Sequence, residues 1–279
     1  MTDTTTPATG SGPTPVTDRY GIPVDATKGD QFSSFDVNAF EVPSHKDEIW
    51  RFTPLKRPRG VHDGSNVTAT GRLLVSVADR DGLTIETVTT ADPRVGEAGA
   101  PRDRAAAQAY TSVEEVTVLT VAKETVLGEP VYVTVDGPGE GRLAYGHSQI
   151  RLEPFADATV VVDQRGGGTI SENVELIVGD SAHLEVILIQ DWDDDALHLA
   201  NHHLQVGRDA TLTYTAVTFG GEVVRIAPFA GFTAPGGTVT INGLYYADDG
   251  QHIEHRLLVD HSVPHCTSRI LYKGALQGD

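Results

Sequence analysis

The sequence predicts a mainly β protein: a parallel β-helix, or β-solenoid, preceded by a small mixed α/β N-terminal region. The first observation is a unit that recurs five times in the second half of the chain. Ala158-Thr159-Val160-Val161-Val162 is answered by Ala182-His183-Leu184-Glu185-Val186, Ala210-Thr211-Leu212-Thr213-Tyr214 and Gly237-Thr238-Val239-Thr240-Ile241, then by a degraded copy from His265 to Ile270. Counted from first residue to first residue, the copies lie 24, 28, 27 and 28 positions apart. A period in that range carrying strands is the signature of stacked coils. The second observation is that apolar strands and polar turns precede the copies, as from Ile150 to Asp157 and from Val174 to Ser181. The third is that β-patterned sequence runs almost without interruption after Thr111.

In chain order, residues 1–18 are Thr-, Pro- and Gly-rich. They read as a disordered tail, since they have too little apolar surface to offset the entropy of ordering. Residues 19–112 form the mixed region. Within it, Ser44 with Asp47 three positions later fits a helix N-terminus, and Pro54 ends that short helix. So short a helix needs Ile49, Trp50 and Phe52 packed against something else. Leu73–Val77 and Leu83–Val88 alternate as strands, and Arg102–Tyr110 reads as a helix through Ala105-Ala106-Ala107. Residues 113–279 form the β-helix, beginning with strands at Val116–Val121 and Val131–Val135. Asp136–Gly141 and Gly166-Gly167-Gly168 supply turns. A solenoid needs its ends covered, because an open coil exposes edge strands and core. No cap follows the last copy before Asp279.

Composition narrows the partners. Against 21 Lys and Arg stand 39 Asp and Glu, a net charge of −18, which argues against nucleic acid or an anionic membrane as the main partner. A single cysteine, Cys266, rules out a disulfide framework within one copy. The N-terminus lacks the apolar core of a signal peptide, and the cytoplasm is the expected compartment.

Candidate chemistry is sparse. His252, His255, His261, His265 and Cys266 crowd the C-terminal quarter, but 252 and 255 fall on opposite faces of a strand and a proline separates 261 from 265. They are expected to be surface and turn histidines, as are His198, His202 and His203. The pair His202-His203 lacks the His-x-His spacing of a cupin-type metal site. Asp193-Asp194-Asp195 lacks the ligand spacing of a calcium loop. Cys266, beside His265 and Arg269, is expected to be inert packing. Gly166-Gly167-Gly168 has no lysine to make a phosphate loop, and no nucleophile elbow is present. No catalytic, cofactor-binding or metal-binding residue is assigned.

Three blocks together resemble a known family. They are Lys46-Asp47-Glu48-Ile49-Trp50-Arg51-Phe52-Thr53-Pro54-Leu55, the repeat stretch Ala210–Gly220, and His255–Leu276 with Val259-Asp260-His261, Pro264-His265-Cys266-Thr267-Ser268 and Tyr272-Lys273-Gly274. The chain is similar to the SufB/SufD family of the SUF iron–sulfur cluster assembly machinery, and Glu48-x-Trp50-Arg51-Phe52-Thr53 favours its SufD branch. The resemblance implies a right-handed β-helix between helical regions. It implies a scaffold without catalytic turnover, working with a SufB-like paralogue and the ABC-type ATPase SufC. The iron–sulfur cluster would be built transiently in the complex and not held firmly by this chain. The family's last coils, its SufC-binding helices and its cluster-site histidine would lie past Asp279, so none of these residues is carried onto this sequence. The alternative reading is a polysaccharide-acting β-helix enzyme of pectate-lyase type, which would release unsaturated sugars from acidic glycans in a calcium-dependent reaction.

Overall fold

The structure is a computed structural model that describes residues 31–278. The expected disordered tail at residues 1–18 lies outside the described residues. Phe32–Asp279 form one compact unit. Its elements are β1 (Leu74–Val77), β2 (Leu83–Val88), helix α1 (Arg104–Ser112), β3 (Val116–Val121), β4 (Val131–Asp136), β5 (Leu143–Leu152), β6 (Asp157–Gly166) and β7 (Thr169–Val178). After these come β8 (His183–Trp192), β9 (Leu197–Val206), β10 (Thr211–Thr218), β11 (Val223–Phe232), β12 (Thr238–Ala247), β13 (His252–His255), β14 (Leu258–Val259) and β15 (Thr267–Leu276).

From β3 onward the chain winds through about six parallel coils, each contributing one strand to each of two facing sheets. One sheet runs β4-β6-β8-β10-β12-β15 and the other β3-β5-β7-β9-β11-β13. The first is exposed on its outer face, so its strands alternate between buried and half-exposed residues, as the pleat demands. We call it the open sheet. The second is buried on both faces, most completely along β7. We call it the covered sheet. Between them lies a lumen packed with Val160, Val186, Leu188, Leu204, Leu212 and Ile241, among others.

The cover is the N-terminal region. Helix α1, the loop around Val95 and the segment around Trp50 and Val61 pack on the outer face of the covered sheet. The same region closes the first coil: β1 pairs antiparallel with β4, and β2 antiparallel with β3. These short antiparallel strands cover the β3 and β4 edges of the parallel stack at that end, a cap that the sequence did not announce.

Two expectations are corrected. Residues 44–53 form no helix. Three successive turns run instead, with Asp47 N–H donating to Ser44 O, Trp50 to Asp47 and Thr53 to Trp50. The capping interactions are made all the same: the Asp47 carboxylate accepts from Ser44 N–H at 2.8 Å and Ser44 Oγ from Lys46 N–H at 3.3 Å. Tertiary contacts at three-residue spacing decide the outcome, because Trp50 is buried and Thr53 donates to Glu254 Oε2 at 2.6 Å. Phe52, expected to pack, is exposed.

The second correction concerns register. Ala158 pairs with Leu184, not Ala182, and Gly237 stands beside Cys266, not His265. The repeating anchor is a small residue at the corner before each open-sheet strand: Ala156, Ala182, Ala210, Gly237 and Cys266. In the first three the side chain is fully buried. The residue before each anchor has positive φ: Phe155 64°, Ser181 56°, Asp209 51°, Gly236 90° and His265 62°. Anchor carbonyls accept from the first residue of the next coil's strand, His183 N–H to Ala156, Thr211 to Ala182 and Thr238 to Ala210. This corner is nearly uniform, advancing five positions from Leu152 to Asp157, Val178 to His183 and Val206 to Thr211 and six from Phe232 to Thr238. The opposite corner is not: Gly166 to Thr169 takes three positions, whereas Trp192 to Leu197 and Ala247 to His252 take five.

Candidate functional site: a one-way hydrogen-bond chain in the lumen

Because strand side chains alternate, the even-numbered residues of β6 to β9 enter the lumen. Most are Val, Leu and Ala. A file of polar residues breaks that pattern: Gln164 on β6, Glu172 on β7, Gln190 on β8, His198 and His202 on β9, Thr218 on β10, and His255 on β13. Gln164, Gln190 and Thr218 occupy one register position on three successive open-sheet strands.

The donors in this file all point one way. Trp192 Nε1–H, which can only donate, reaches His198 Nδ1 at 3.2 Å. The His198 ring proton therefore sits on Nε2, which donates to Glu172 Oε1 at 2.8 Å. Gln164 Nε2 donates to the same oxygen at 2.7 Å. Thr218 Oγ1–H donates to Gln190 Oε1 at 2.6 Å and accepts from His255 Nε2 at 3.1 Å. Gln190 Nε2 in turn meets His198 Nδ1 at 3.4 Å. Hydrogen bonds aligned head to tail polarise one another in a low-dielectric interior. The chain terminates on a carboxylate, the group best able to use that polarisation.

Burial alone would push the Glu172 pKa up. The hydrogen bonds from His198 and Gln164 outweigh that and hold it below the ordinary glutamate value. The neighbouring histidines shift the other way. Burial takes His202 down to about 3 and His255 down to about 4. His202 Nδ1 and the Tyr214 hydroxyl share a hydrogen bond of 2.7 Å. His255 lies between the Tyr245 and Tyr272 rings at 6.0 and 5.5 Å.

A second polar layer joins the covered sheet to the N-terminal region. Asp103 caps α1 through Oδ1, which accepts from Ala106 N–H, while Oδ2 accepts from Asn201 Nδ2 at 3.0 Å and Arg225 Nη1 at 2.9 Å. Arg225 is buried with its guanidinium 4.0 Å above the Trp50 ring, and it also donates to Ile49 O. A desolvated cation over indole contributes about 2 kcal/mol. Glu175 accepts from Gly96 and Ala98 N–H at 2.7 and 2.8 Å and meets His147 Nε2 at 2.7 Å. Those donors hold its pKa down against the opposing effect of burial. Burial lowers nearby His203 to about 4. Arg57 and Arg59 clamp the two oxygens of Glu222 at 3.1 and 2.6 Å.

These positions correct the expectation of surface histidines. His198, His202 and His203 are all buried on β9. His252 and His255 do point to opposite faces: β13 aligns His252 with Val223 and His255 with Ile226. Exposed His261 meets Ser268 Oγ at 2.9 Å, and exposed His265 is the left-handed corner residue. Cys266 fills the corner where other coils have alanine or glycine and packs on the core. Asp195 Oδ2 accepts from Gly168 N–H at 3.2 Å, joining neighbouring turns. Among the described residues, no three His, Cys, Asp or Glu side chains group to hold a metal ion. None of the described helices is long and apolar enough to cross a membrane.

The architecture defines a class: a two-sheet parallel β-solenoid with a polar file in its lumen and a covering N-terminal layer. Residues 134–279, from β4 onward, match the family profile described as "SUF system FeS cluster assembly, SufBD core domain". The chain is 54% identical over 252 residues to iron–sulfur cluster assembly SufBD family proteins of Mycobacterium tuberculosis and Mycobacterium bovis, covering 90% of this chain and 63% of each relative. A Mycobacterium leprae protein of the same description is 52% identical over 90% of this chain and 64% of its own length. The chain belongs to the SufBD family of iron–sulfur cluster assembly proteins. That membership sets aside the pectate-lyase alternative. The chain spans less than two thirds of the length of these relatives.

Proposed function

We propose that this protein is a non-catalytic scaffold subunit of a SUF-type iron–sulfur cluster assembly complex. It takes the SufD position, beside a SufB-like paralogue and the SufC ATPase, in the cytoplasm. The cluster is cargo of the complex, not a resident cofactor of this chain. The observation that carries the reading is the family match over residues 134–279, which coincides with the stacked coils themselves. Two further features support it. The lumen histidines are tied into a hydrogen-bond chain with Glu172, Gln190 and Thr218 and point away from solvent. The block that favours the SufD branch serves the architecture, with Trp50 under Arg225 and Thr53 on Glu254.

The test is co-expression of the tagged complete protein, carried through the full length its relatives have, with a SufB-like paralogue and SufC, followed by gel filtration with light scattering. All three should elute together, and anaerobic reconstitution should place iron and sulfide in the complex but not on the isolated subunit. Recovery of the tagged protein without either partner, or a stoichiometric cluster held by it alone, would overturn the reading.

A further inference from the structure

The lumen is not filled along its whole length. Within the first three coils the two sheets enclose a cavity of about 760 Å³. Its inner walls include Val133, Val162, Val174 and Leu188, and polar Thr117, His147, Ser148 and Gln164 share the lining. Its mouth lies between the segment Arg72–Ser76 and the stretch Ser112–Glu115, and an exposed Arg72–Glu114 ion pair of 3.1 Å joins the two sides. Protein interiors normally leave few voids larger than a water molecule. A space of this size falls within the range of small-molecule binding sites, which bury most of a ligand's surface.

The cavity also reaches Gln164 and Glu172, the end of the hydrogen-bond chain. Gln164 spends its amide N–H on Glu172 Oε1, so its carbonyl oxygen faces away, buried and without a donor. Leaving such a group unpaired costs about 1–3 kcal/mol. Both donors to Glu172 use Oε1, and among the described residues no hydrogen bond reaches Oε2. Oε2 is turned toward Gly146, where a Cβ atom would stand 3.2 Å from it. The absence of a side chain at that lining position keeps the carboxylate accessible from the cavity. The polar end thus presents one free anionic acceptor, Glu172 Oε2, to the chamber, with Gln164 Oε1 shielded beside it.

We propose that this chamber is a binding site for an amphiphile, with an apolar chain or ring along the valine and leucine walls and a hydrogen-bond-donating head, ammonium or hydroxyl, on Glu172 Oε2. A fatty carboxylate is the wrong ligand, since it brings no donor and meets a like charge. The site is argued from the lumen alone and does not rest on the scaffold reading.

Octylammonium, octanol and octanoate serve as probes, titrated below their micellar concentrations into the purified protein at pH 7.5 and followed by calorimetry. One equivalent of octylammonium or octanol should bind saturably, with octanoate weaker by about tenfold or more, the equivalent of about 1.4 kcal/mol. Val162→Trp, which fills the chamber, should abolish binding. Glu172→Gln should weaken octylammonium more than octanol, a ratio that survives a general loss of stability. Should Val162→Trp fail to fold, the head-group order on the unmodified protein decides alone. Equal binding of octanoate, octylammonium binding indifferent to Val162→Trp, or no saturable binding of any probe overturns the proposal.

Discussion

At the scale of single residues, what stands out is how many titratable groups are buried and how differently they are held. Glu172 and Glu175 keep their charge because donors surround them, whereas His202, His203 and His255 keep their neutrality because burial opposes a proton. Both classes have folded pKa values below the unfolded ones, so both stabilise the protein fully above the unfolded pKa and less as pH falls. The histidines act first. Their contribution should decline from about pH 6.5 toward the folded values of about 3 to 4, before the carboxylates begin to titrate. Urea denaturation at pH 7, 6 and 5 should therefore show a falling midpoint. Each histidine adds at most about 1.4 kcal/mol per pH unit to the slope. His255→Phe should remove one such increment, and a midpoint flat from pH 7 to 5 would contradict this account.

At the scale of elements, the corner column explains both what the sequence disclosed and what it concealed. The strands over Leu83–Val88 and Val116–Val121 were legible to the residue, since alternation or apolar runs mark them. Strands β9 and β11 were not, nor were the first halves of β5 and β7. These are covered on both faces and carry Gly146, His147, Ser171, Glu172, Asn173, His198 and Arg225, residues that read as loop until the partners that satisfy them are seen. The candidate site was illegible for the same reason. Its one available signal was the shared register of Gln164, Gln190 and Thr218, which appears only when each repeat copy is extended beyond its apolar core. The corner itself yields a paired expectation. A left-handed conformation penalises any residue with a Cβ, so Ser181→Gly should raise stability by about 0.5–1 kcal/mol. Gly236→Ala, in the same column, should lower it by about 1–2 kcal/mol, because φ is 90° and the new methyl runs into the Asp209 carboxylate. Chemical denaturation of the two variants checks both signs. Equal effects would mean that the column carries no strain.

At the scale of the whole molecule, the two sheets differ in protection. The covered sheet is roofed by the N-terminal layer through Asp103, Glu175 and Glu222, while the open sheet has one face in water. Hydrogen exchange should therefore be slowest in β7 and β9, whose amides open only on global unfolding, and fastest in β1 and β15 at the sheet edges. Uniform exchange across β7 and β15 would show that the N-terminal layer adds no rigidity.

The inequality of the two corners sets the terms on which this architecture can change. One edge of the stack behaves like a bound spine, where every leaf is stitched at the same height by a small residue in a cramped pocket. The other is the fore-edge, where neighbouring leaves already differ in width by two residues, at Gly166–Thr169 against Trp192–Leu197, without disturbing the alignment of what is printed inside. New sequence can thus be accommodated on the fore-edge, around Asp193–Asp195 or Asp248–Gln251, leaving the lumen untouched. The spine is tighter but not closed to change: Phe232 to Thr238 takes six positions, one more than the coils before it, and β12 still keeps its register with β10. The wider latitude for growth, and with it for any new surface for recognition, lies on the fore-edge.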